Sequence, residues 1–227
     1  MSILRRRDIR LMVCDMAGTV VQENGSVYIA IANALKEVGC KVDARDVKGW
    51  HGRGKDEVIA SVISTHMPLG DRSCKYRQAM KLFDTELRTR YFINNEISLI
   101  DPDIPYFFNW LRNGGIKIGL DTGYSRPLQN DIIDHLNLGN CIDGNISTDD
   151  VSEGRPYPYM IYRLMEKTKT VDVKSVAKVG DTVVDMKQGK NAGCGTTFGV
   201  LSGAVTRNEL LSSCHADYIV EKVTDIR

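Results

Sequence analysis

Short apolar runs alternate with segments of helical length along most of this chain, and this alternation limits the folds open to it. The runs that we interpret as core strands are Leu11–Asp15, Ile116–Asp121, Val176–Asp181, Thr196–Leu201, Tyr218–Val220 and, as a weaker pattern, Ile142–Ile146. The intervening helical segments are Pro105–Asn113, Pro127–Asn137, Pro158–Lys167 and Asp185–Ala192. Strands that alternate with helices predict an α/β fold with a parallel sheet covered by helices on both faces.

The stretch between the first two runs follows a different pattern. Apolar residues recur there at helical spacing, for example Val27, Ile31 and Leu35, and β-branched runs are few. We therefore predict an inserted all-helical domain. The predicted domains are an α/β core of residues 1–22 and 100–227 and a helical cap of residues 23–99. Such a cap would lie at the carboxyl edge of the sheet, where open α/β sheets bind ligands.

Charge and composition exclude several classes of function. Lys and Arg number 30 and Asp and Glu number 29, so no net field favours a nucleic acid. No apolar run approaches the ~20 residues that span a membrane, and the apolar part of MSILRRRDIRLMV is too short for a signal peptide. The six cysteines form no CxxC pair, which favours free thiols over a zinc site. We expect a soluble, cytoplasmic protein that acts on a small molecule, with no nucleic-acid or membrane partner.

Polar side chains stand where predicted strands end or in the loops beside them. Asp15 ends the first strand, Thr122 follows the second, Arg155 lies in a loop before a helix, and Asp181 and Asp185 follow another strand. Carboxyl ends of parallel strands meet at one edge of a sheet. The sequence therefore predicts a cluster of carboxylates with one hydroxyl and one cation.

This set of groups suits the transfer of a phosphoryl group. Asp15 and Asp181 would repel each other unless a cation lay between them, and Mg²⁺ prefers such oxygen ligands. Asp15 could attack phosphorus, since carboxylates form aspartyl-phosphates. Thr122 and the backbone N–H groups after Asp15 would hold the phosphoryl oxygens, and Arg155 would neutralise their charge. Asp185 either opens a helix or supports the residues that contact the substrate or the metal.

Each of these residues, taken singly, has an ordinary structural role. An aspartate beside glycine is common in turns, a threonine after a strand is a common helix cap, and an isolated arginine is usually solvated. Their joint order along the chain favours the functional interpretation.

The motifs in this order resemble those of the haloacid dehalogenase superfamily of phosphohydrolases. The resemblance rests on DxxGT at Asp15–Thr19, which includes Gly18, on Thr122 and Arg155, and on GDTxxD at Asp181–Asp185. It implies a Rossmann-like core, Mg²⁺ and an aspartyl-phosphate intermediate. It also implies that Asp15 is the nucleophile and that Asp15, the Ala17 carbonyl and Asp181 bind the metal.

Ala17 narrows the resemblance to one branch. Most phosphatases of the superfamily carry DxDGT, whose second aspartate is the acid and base, a function worth roughly 10²–10⁴-fold in rate. The phosphonatases carry alanine there, and DMAGT, KIGLDTGYSR, GRPYPYM and VGDTVVDMKQGKNAG resemble their motifs. In that branch a lysine of the cap forms an imine with the substrate aldehyde. The imine then accepts the electrons of the broken P–C bond, so no acid is needed at the alanine.

Lys55 in GWHGRGKDEVI is the candidate for this lysine. Family members place a glycine three or four residues earlier, as Gly52 is here, and a helix N-terminus should lower the pKa of such a lysine. Phosphonatases carry methionine at the position of His51 and histidine at that of Val58. His51 either takes over proton transfer or has a capping or packing role. The resemblance further suggests that Gly123 and Tyr124 face the substrate or the cap.

Three functions remain open at this stage. The first is Mg²⁺-dependent hydrolysis of the P–C bond of phosphonoacetaldehyde or a related phosphonate. The second is hydrolysis of a small phosphate ester, with His51 or Lys55 supplying the proton. The third is binding of a phosphorylated metabolite without catalysis. Dimerisation through the cap is common in the family that this sequence resembles, so the resemblance also suggests a homodimer as one oligomeric state.

Overall fold

A six-stranded parallel sheet forms the centre of the fold. The computed structural model describes residues 8–43, 45–46 and 54–226. The strands of this sheet are β1 (Leu11–Asp15), β4 (Lys117–Thr122), β5 (Gly144–Ser147), β6 (Val176–Gly180), β7 (Thr196–Val200) and β8 (Tyr218–Val220). They lie in the order β5-β4-β1-β6-β7-β8, and each adjacent pair runs parallel. This architecture confirms the predicted α/β class.

The observed strands begin and end within two residues of the predicted bounds, the largest shift being the start of β5 at Gly144 where Ile142 was predicted, and one short sheet was not predicted. The second predicted strand begins one residue later, because the N–H of Ile116 still donates to the carbonyl of Leu111 in the preceding helix at 3.0 Å. Gly115, with φ of 86°, turns the chain between the two. A second, two-stranded sheet of β2 (Val21–Gln22) and β3 (Ser98–Leu99) was not predicted, since two-residue strands carry no periodicity.

The chain divides into two compact units, one of residues 1–22 and 99–227 and the other of residues 23–98. The second unit contains the helices α1 (Ser26–Glu37), α2 (Lys55–His66) and α3 (Arg72–Arg88), which a π-helix extends over Thr89–Ile93. Their apolar faces are buried, for example at Leu35, Ile59 and Leu87. Asn33 of α1 donates to Glu86 of α3 at 2.6 Å. The description of this unit as a cap stays a prediction.

The helices of the first unit lie close to the predicted positions. They are α4 (Ile104–Asn113), α5 (Arg126–His135), α6 (Tyr159–Thr168), α7 (Val183–Ala192) and α8 (Arg207–Ser212). Helix α8 was not predicted from the sequence. This helix has six residues and one buried apolar side chain, Leu210, so it leaves little periodic signal. Its start is marked by the capping box of Thr206 and Glu209.

Strand β1 is a central, buried strand of the sheet. The four apolar residues of β1, Leu11 to Cys14, are fully buried, as expected for a parallel strand covered on both faces. All six cysteines are free, in agreement with the sequence. No helix in the described part of the chain combines the length and the apolar character needed to cross a membrane.

Asp101 links the start of α4 to the C-terminal segment. Its carboxylate accepts from the Thr224 hydroxyl at 2.7 Å and the Asp103 amide at 2.9 Å, and it lies 2.6 Å from the Lys222 ammonium. Hydrogen bonds from Lys222, Thr224 and Asp103 outweigh burial and lower the pKa of Asp101 to about 2. Because the folded pKa lies below the ordinary value, these bonds stabilise the fold above about pH 4, and the effect is lost as pH falls towards 2.

We expect Asp101→Asn to lower the free energy of unfolding by about 1 kcal/mol at neutral pH, since it weakens charged hydrogen bonds. Thermal unfolding followed by circular dichroism should show a Tm about 2–4 °C lower. The difference should shrink as the pH is lowered below about 4. Asp103→Asn is the matched control, because the Asp103 side chain is exposed and makes no cap hydrogen bond. An equal loss of Tm at low and at neutral pH would contradict the stabilising role of the ionised Asp101 carboxylate.

Candidate active site

Five of the predicted site residues converge at the carboxyl edge of the sheet in the first unit. Asp15 ends β1, Thr122 ends β4, Asp181 follows β6, and Asp185 lies in the first turn of α7. Arg155 comes from the loop before α6. Asp15, Thr122, Asp181 and Asp185 are at most 3% exposed. The sequence therefore placed these groups correctly at one edge.

Arg155 ties two of the carboxylates together. Its Nη1 donates to Oδ1 of Asp15 at 2.7 Å and also to Oδ1 of Asp185. The Arg155 side chain is 7% exposed, so it is a buried ion-pair partner and not a solvated surface group. Removing one partner of such a buried pair commonly costs about 3–5 kcal/mol, because the other charge is left uncompensated.

Burial and charge push the pKa values of the two carboxyls apart. Burial raises the pKa of Asp15 to about 6, although Arg155 opposes the shift. Burial also acts to raise the pKa of Asp185, but the charges of Arg155 and Lys178 outweigh it and lower that pKa to about 2. Asp185 therefore stays ionised to a lower pH than Asp15 does.

Asp185 has both of the roles that the sequence left open. One of its oxygens, Oδ2, accepts from the backbone N–H of Thr182 at 3.2 Å, and the Thr182 hydroxyl accepts from the Asp185 N–H at 3.3 Å. This reciprocal pair is a capping box that starts α7. The other oxygen, Oδ1, holds Arg155. Asp185 thus opens a helix and supports the site.

Asp181 lies in a narrow slot between two loops. A Cβ atom on Gly18 would lie 2.6 Å from Oδ2 of Asp181, and one on Gly203 would collide with the same carboxylate. Gly18 has φ of 84°, which further requires glycine. Oδ2 accepts from the Ala204 N–H at 2.7 Å, whereas Oδ1 is buried without a partner. Burial, together with the charges of Asp15 and Asp185, raises the pKa of Asp181.

The loop after β7 was missed by the sequence analysis. It contributes Gly203 and Ala204 to the slot, and the Ser202 hydroxyl donates to the Gly18 carbonyl at 2.7 Å. A signal was present in the run Ser202-Gly203-Ala204, which follows an apolar strand as the other site loops do. Small residues after a strand often mark a close approach of backbone to another group.

A second missed feature is a buried lysine. Lys178, inside β6, lies 2.5 Å from Oδ1 of Asp121 and 3.3 Å from Oδ1 of Asp185. Three carboxylates, of Asp15, Asp121 and Asp185, offer oxygens within 4.8 Å of one another. This set differs from the predicted metal ligands. Because Lys178 and Arg155 already neutralise Asp121 and Asp185, we interpret the set as an ion-pair cluster.

The charges of the site fit one divalent cation. When all are ionised, the four carboxylates of Asp15, Asp121, Asp181 and Asp185 face two protein cations, so the ionised site has an excess of two negative charges in a buried space. The unpartnered oxygen of Asp181 is a free ligand atom. Oxygen ligands of this kind suit Mg²⁺. The residues present therefore fit a magnesium ion, and Asp15, Asp181 and the Ala17 carbonyl stay the predicted ligands.

The turn after β1 is organised by its own hydrogen bonds. The Gly18 N–H donates to the Val21 carbonyl at 2.8 Å, and the Thr19 N–H donates to the Met16 carbonyl at 3.3 Å. These two N–H groups are thus engaged within the turn, which limits the predicted phosphoryl cradle to other amides. The Thr19 hydroxyl is buried without a partner.

The Thr122 hydroxyl is oriented by the loop that follows it. It accepts from the N–H of Tyr124 at 3.2 Å, which leaves its own proton available for an oxygen of a substrate. Thr122 and Tyr124 are both buried, and Gly123 between them is partly exposed. This geometry is compatible with the predicted role of Thr122.

The predicted residues of the cap lie in the second unit or outside the described residues. Lys55 is the first residue of α2, with Gly54 at the N-cap, and it is partly buried. Val58 on the same helix is 3% exposed and belongs to the apolar face of α2. His51 and Gly52 lie outside the described residues, so their roles stay predictions.

The slot around Asp181 gives a direct test of the metal site. We expect Gly203→Ala to displace the Asp181 carboxylate and to weaken Mg²⁺ binding at least about tenfold, since ligand geometry controls affinity for this ion. Isothermal titration calorimetry measures the affinity. Gly139→Ala is the matched control, because its new Cβ would enter open space. Unchanged Mg²⁺ affinity in Gly203→Ala would refute the assignment of Asp181 as a ligand.

Two relatives align with this chain over most of its length. A phosphonoacetaldehyde hydrolase of Latilactobacillus sakei is 30% identical over 93% of the chain and 81% of the relative. A phosphonoacetaldehyde hydrolase of Paraburkholderia xenovorans is 26% identical over 97% of the chain and 93% of the relative.

Solved structures show the same fold. A phosphonoacetaldehyde hydrolase-like protein from Oleispira antarctica aligns with a TM-score of 0.79 and 22% identity, covering 97% of this chain and 90% of that one. A predicted phosphoglycolate phosphatase from Haemophilus somnus aligns with a TM-score of 0.79 and 20% identity, covering 96% of each chain. The family model of haloacid dehalogenase-like hydrolases matches residues 9–193. The chain therefore belongs to the haloacid dehalogenase-like hydrolases.

Proposed function

We propose that this hydrolase cleaves the P–C bond of phosphonoacetaldehyde or a closely related phosphonate, with Mg²⁺ as its cofactor. The observation that carries the proposal is Ala17, which replaces the expected acid while Asp15, Arg155, Asp181 and Asp185 are all present. An enzyme that keeps its nucleophile but lacks an acid suits a leaving group that needs no proton from that position. The relatives named phosphonoacetaldehyde hydrolase support the same substrate.

Asp15 is the nucleophile in this proposal. Arg155 holds its Oδ1 at 2.7 Å, which fixes the carboxylate while Oδ2 attacks phosphorus. The Thr122 hydroxyl and Arg155 stabilise the charge of the phosphoryl oxygens. A bound Mg²⁺, held by Asp15, Asp181 and the Ala17 carbonyl, would supply further positive charge there. Water then hydrolyses the aspartyl-phosphate and releases phosphate.

Lys55 provides the path for the electrons of the broken bond. Its amine condenses with the substrate aldehyde and releases water, forming a protonated imine. When Asp15 attacks phosphorus, the P–C electron pair moves into this imine and an enamine results. Protonation at carbon and hydrolysis of the imine release acetaldehyde and restore the amine. The net reaction consumes one water and yields acetaldehyde and phosphate.

A phosphate ester is the second candidate substrate. Val58 occupies the position where phosphonatases carry a histidine, and this valine is buried in the apolar face of α2, so a proton relay at that position is excluded. In this alternative His51 or Lys55 would protonate the leaving alkoxide. The absence of an acid at Ala17 favours the first candidate.

The substrate test uses acetaldehyde release from phosphonoacetaldehyde with Mg²⁺, followed through a coupled dehydrogenase. We expect turnover by the unaltered protein and a loss of at least about 10³-fold in Lys55→Arg and Asp15→Asn, because each removes a covalent step. Lys81→Arg, an exposed lysine on α3, is the matched control and should keep full activity. Phosphate release from esters without any acetaldehyde would favour the second candidate and contradict the first.

A further inference from the structure

Lys178 is a charged side chain where the sheet should be apolar. It lies in the middle of β6, between Ala177 and Val179, and it is fully buried. Lysine is almost never fully buried unless it is paired. Here the ammonium lies 2.5 Å from Asp121 on β4 and 3.3 Å from Asp185 on α7. Burial acts to lower the Lys178 pKa, but these two carboxylates outweigh it and raise that pKa.

The Lys178–Asp121 pair connects the two strands that flank β1, the strand that carries Asp15. β1 lies between β4 and β6 in the sheet, so the contact from Lys178 to Asp121 spans the width of β1. Asp121 is also the direct register neighbour of Asp15 on the adjacent strand. The Lys178–Asp121 pair therefore lies next to the carboxylate that is proposed to react.

Glycines on α7 and β6 make room for the buried lysine. A Cβ on Gly189 would lie 2.9 Å from Cβ of Lys178 and 2.7 Å from Cγ2 of Thr197. A Cβ on Gly180 would collide with Asp185. Both glycines let α7 approach β6 closely enough for Asp185 to contact Lys178. The close packing of α7 on β6 therefore accommodates the Lys178–Asp185 ion pair as well as the apolar residues of β6.

We propose that Lys178 and Asp121 form a charge-balancing pair: the Lys178 ammonium compensates one buried carboxylate, so that the ionised site keeps an excess of two negative charges for its cation. Asp185 contacts both Lys178 and Arg155 through its Oδ1, so the two cations share one carboxylate oxygen. Arg155 in turn holds Asp15. This inference rests on the proposed function in one respect, because it takes Arg155 and the cation as the binders of the phosphoryl group.

The charge balance predicts opposite effects for the two single substitutions. Asp121→Asn removes a negative charge, so the site should attract Mg²⁺ less and, once loaded with Mg²⁺, attract a phosphate anion more. Lys178→Met removes a positive charge, so Mg²⁺ should bind more tightly and phosphate less tightly. The double variant restores the net charge and should cancel both effects. A purely structural role would instead weaken both affinities together.

The experiment measures two affinities by calorimetry, first for Mg²⁺ alone and then for inorganic phosphate with Mg²⁺ in excess. Each single variant should change each affinity roughly tenfold in the stated direction, as expected for one charge at close range in a buried site. The double variant should return to within about threefold of the unaltered protein. Lys190→Met with Asp217→Asn is the matched control, because this Lys–Asp pair is partly exposed. It should leave both affinities unchanged.

Several results would overturn the inference. They are parallel losses of both affinities in the single variants, a double variant weaker than either single one, and an unaltered protein that binds neither probe. Asp121→Asn keeps the side-chain volume and the lysine, so its result stands even if Lys178→Met does not fold. Failure of the proposed function is recognised separately: the binding pattern would then appear without acetaldehyde release. Acetaldehyde release without the binding pattern would overturn only this inference.

Discussion

The double ion pair of Arg155 with Asp15 and Asp185 is the interaction on which the site depends. Arg155 donates to both carboxylates from one nitrogen, and all three side chains are at most 7% exposed. Desolvated charges of this kind are stable only when each is paired. The pairing therefore links the end of β1 to the first turn of α7, and it leaves one oxygen of Asp15 outside the contact with Arg155.

The parallel sheet explains why so many charges can meet here. Each strand delivers its last residue to the same edge, and short turns at Gly18 and Gly203 bring two loops against Asp181. The result is a buried group of carboxylates that has an excess of negative charge when they are ionised. Such an excess is unfavourable without a cation. The excess of negative charge that is unfavourable in the empty site would attract a divalent cation. The electrostatics of the site are in this way connected to its proposed chemistry.

The sequence predicted what local patterns encode. The strand ends, the helices of the core and the positions of Asp15, Arg155 and Asp185 followed from periodicity, motif order and the geometry of parallel strands. The Lys178–Asp121 pair did not, because it joins residues from two strands that are not adjacent in the sheet. A lysine within an apolar run was nevertheless a signal, since such a strand is buried on both faces.

The slot of Gly203 and Ala204 was also beyond the sequence analysis, since it depends on how the loop after β7 folds back towards Gly18. Short elements such as α8 and β2 carry too few residues for a periodic signal. The predictions for His51 and Gly52 fall outside the described residues and stay predictions. Lys55 is placed at the start of α2, as its sequence context indicated.

The central claim is that Asp15, held by Arg155, takes up the phosphoryl group. The most direct measurement is rapid acid quenching of the protein during turnover of phosphonoacetaldehyde that carries radiolabelled phosphorus, followed by peptide mapping. The account predicts labelled phosphate on the peptide that contains Asp15, released by hydroxylamine as expected for an acyl phosphate and absent in Asp15→Asn. Turnover that proceeds at full rate with no label on the protein would contradict it.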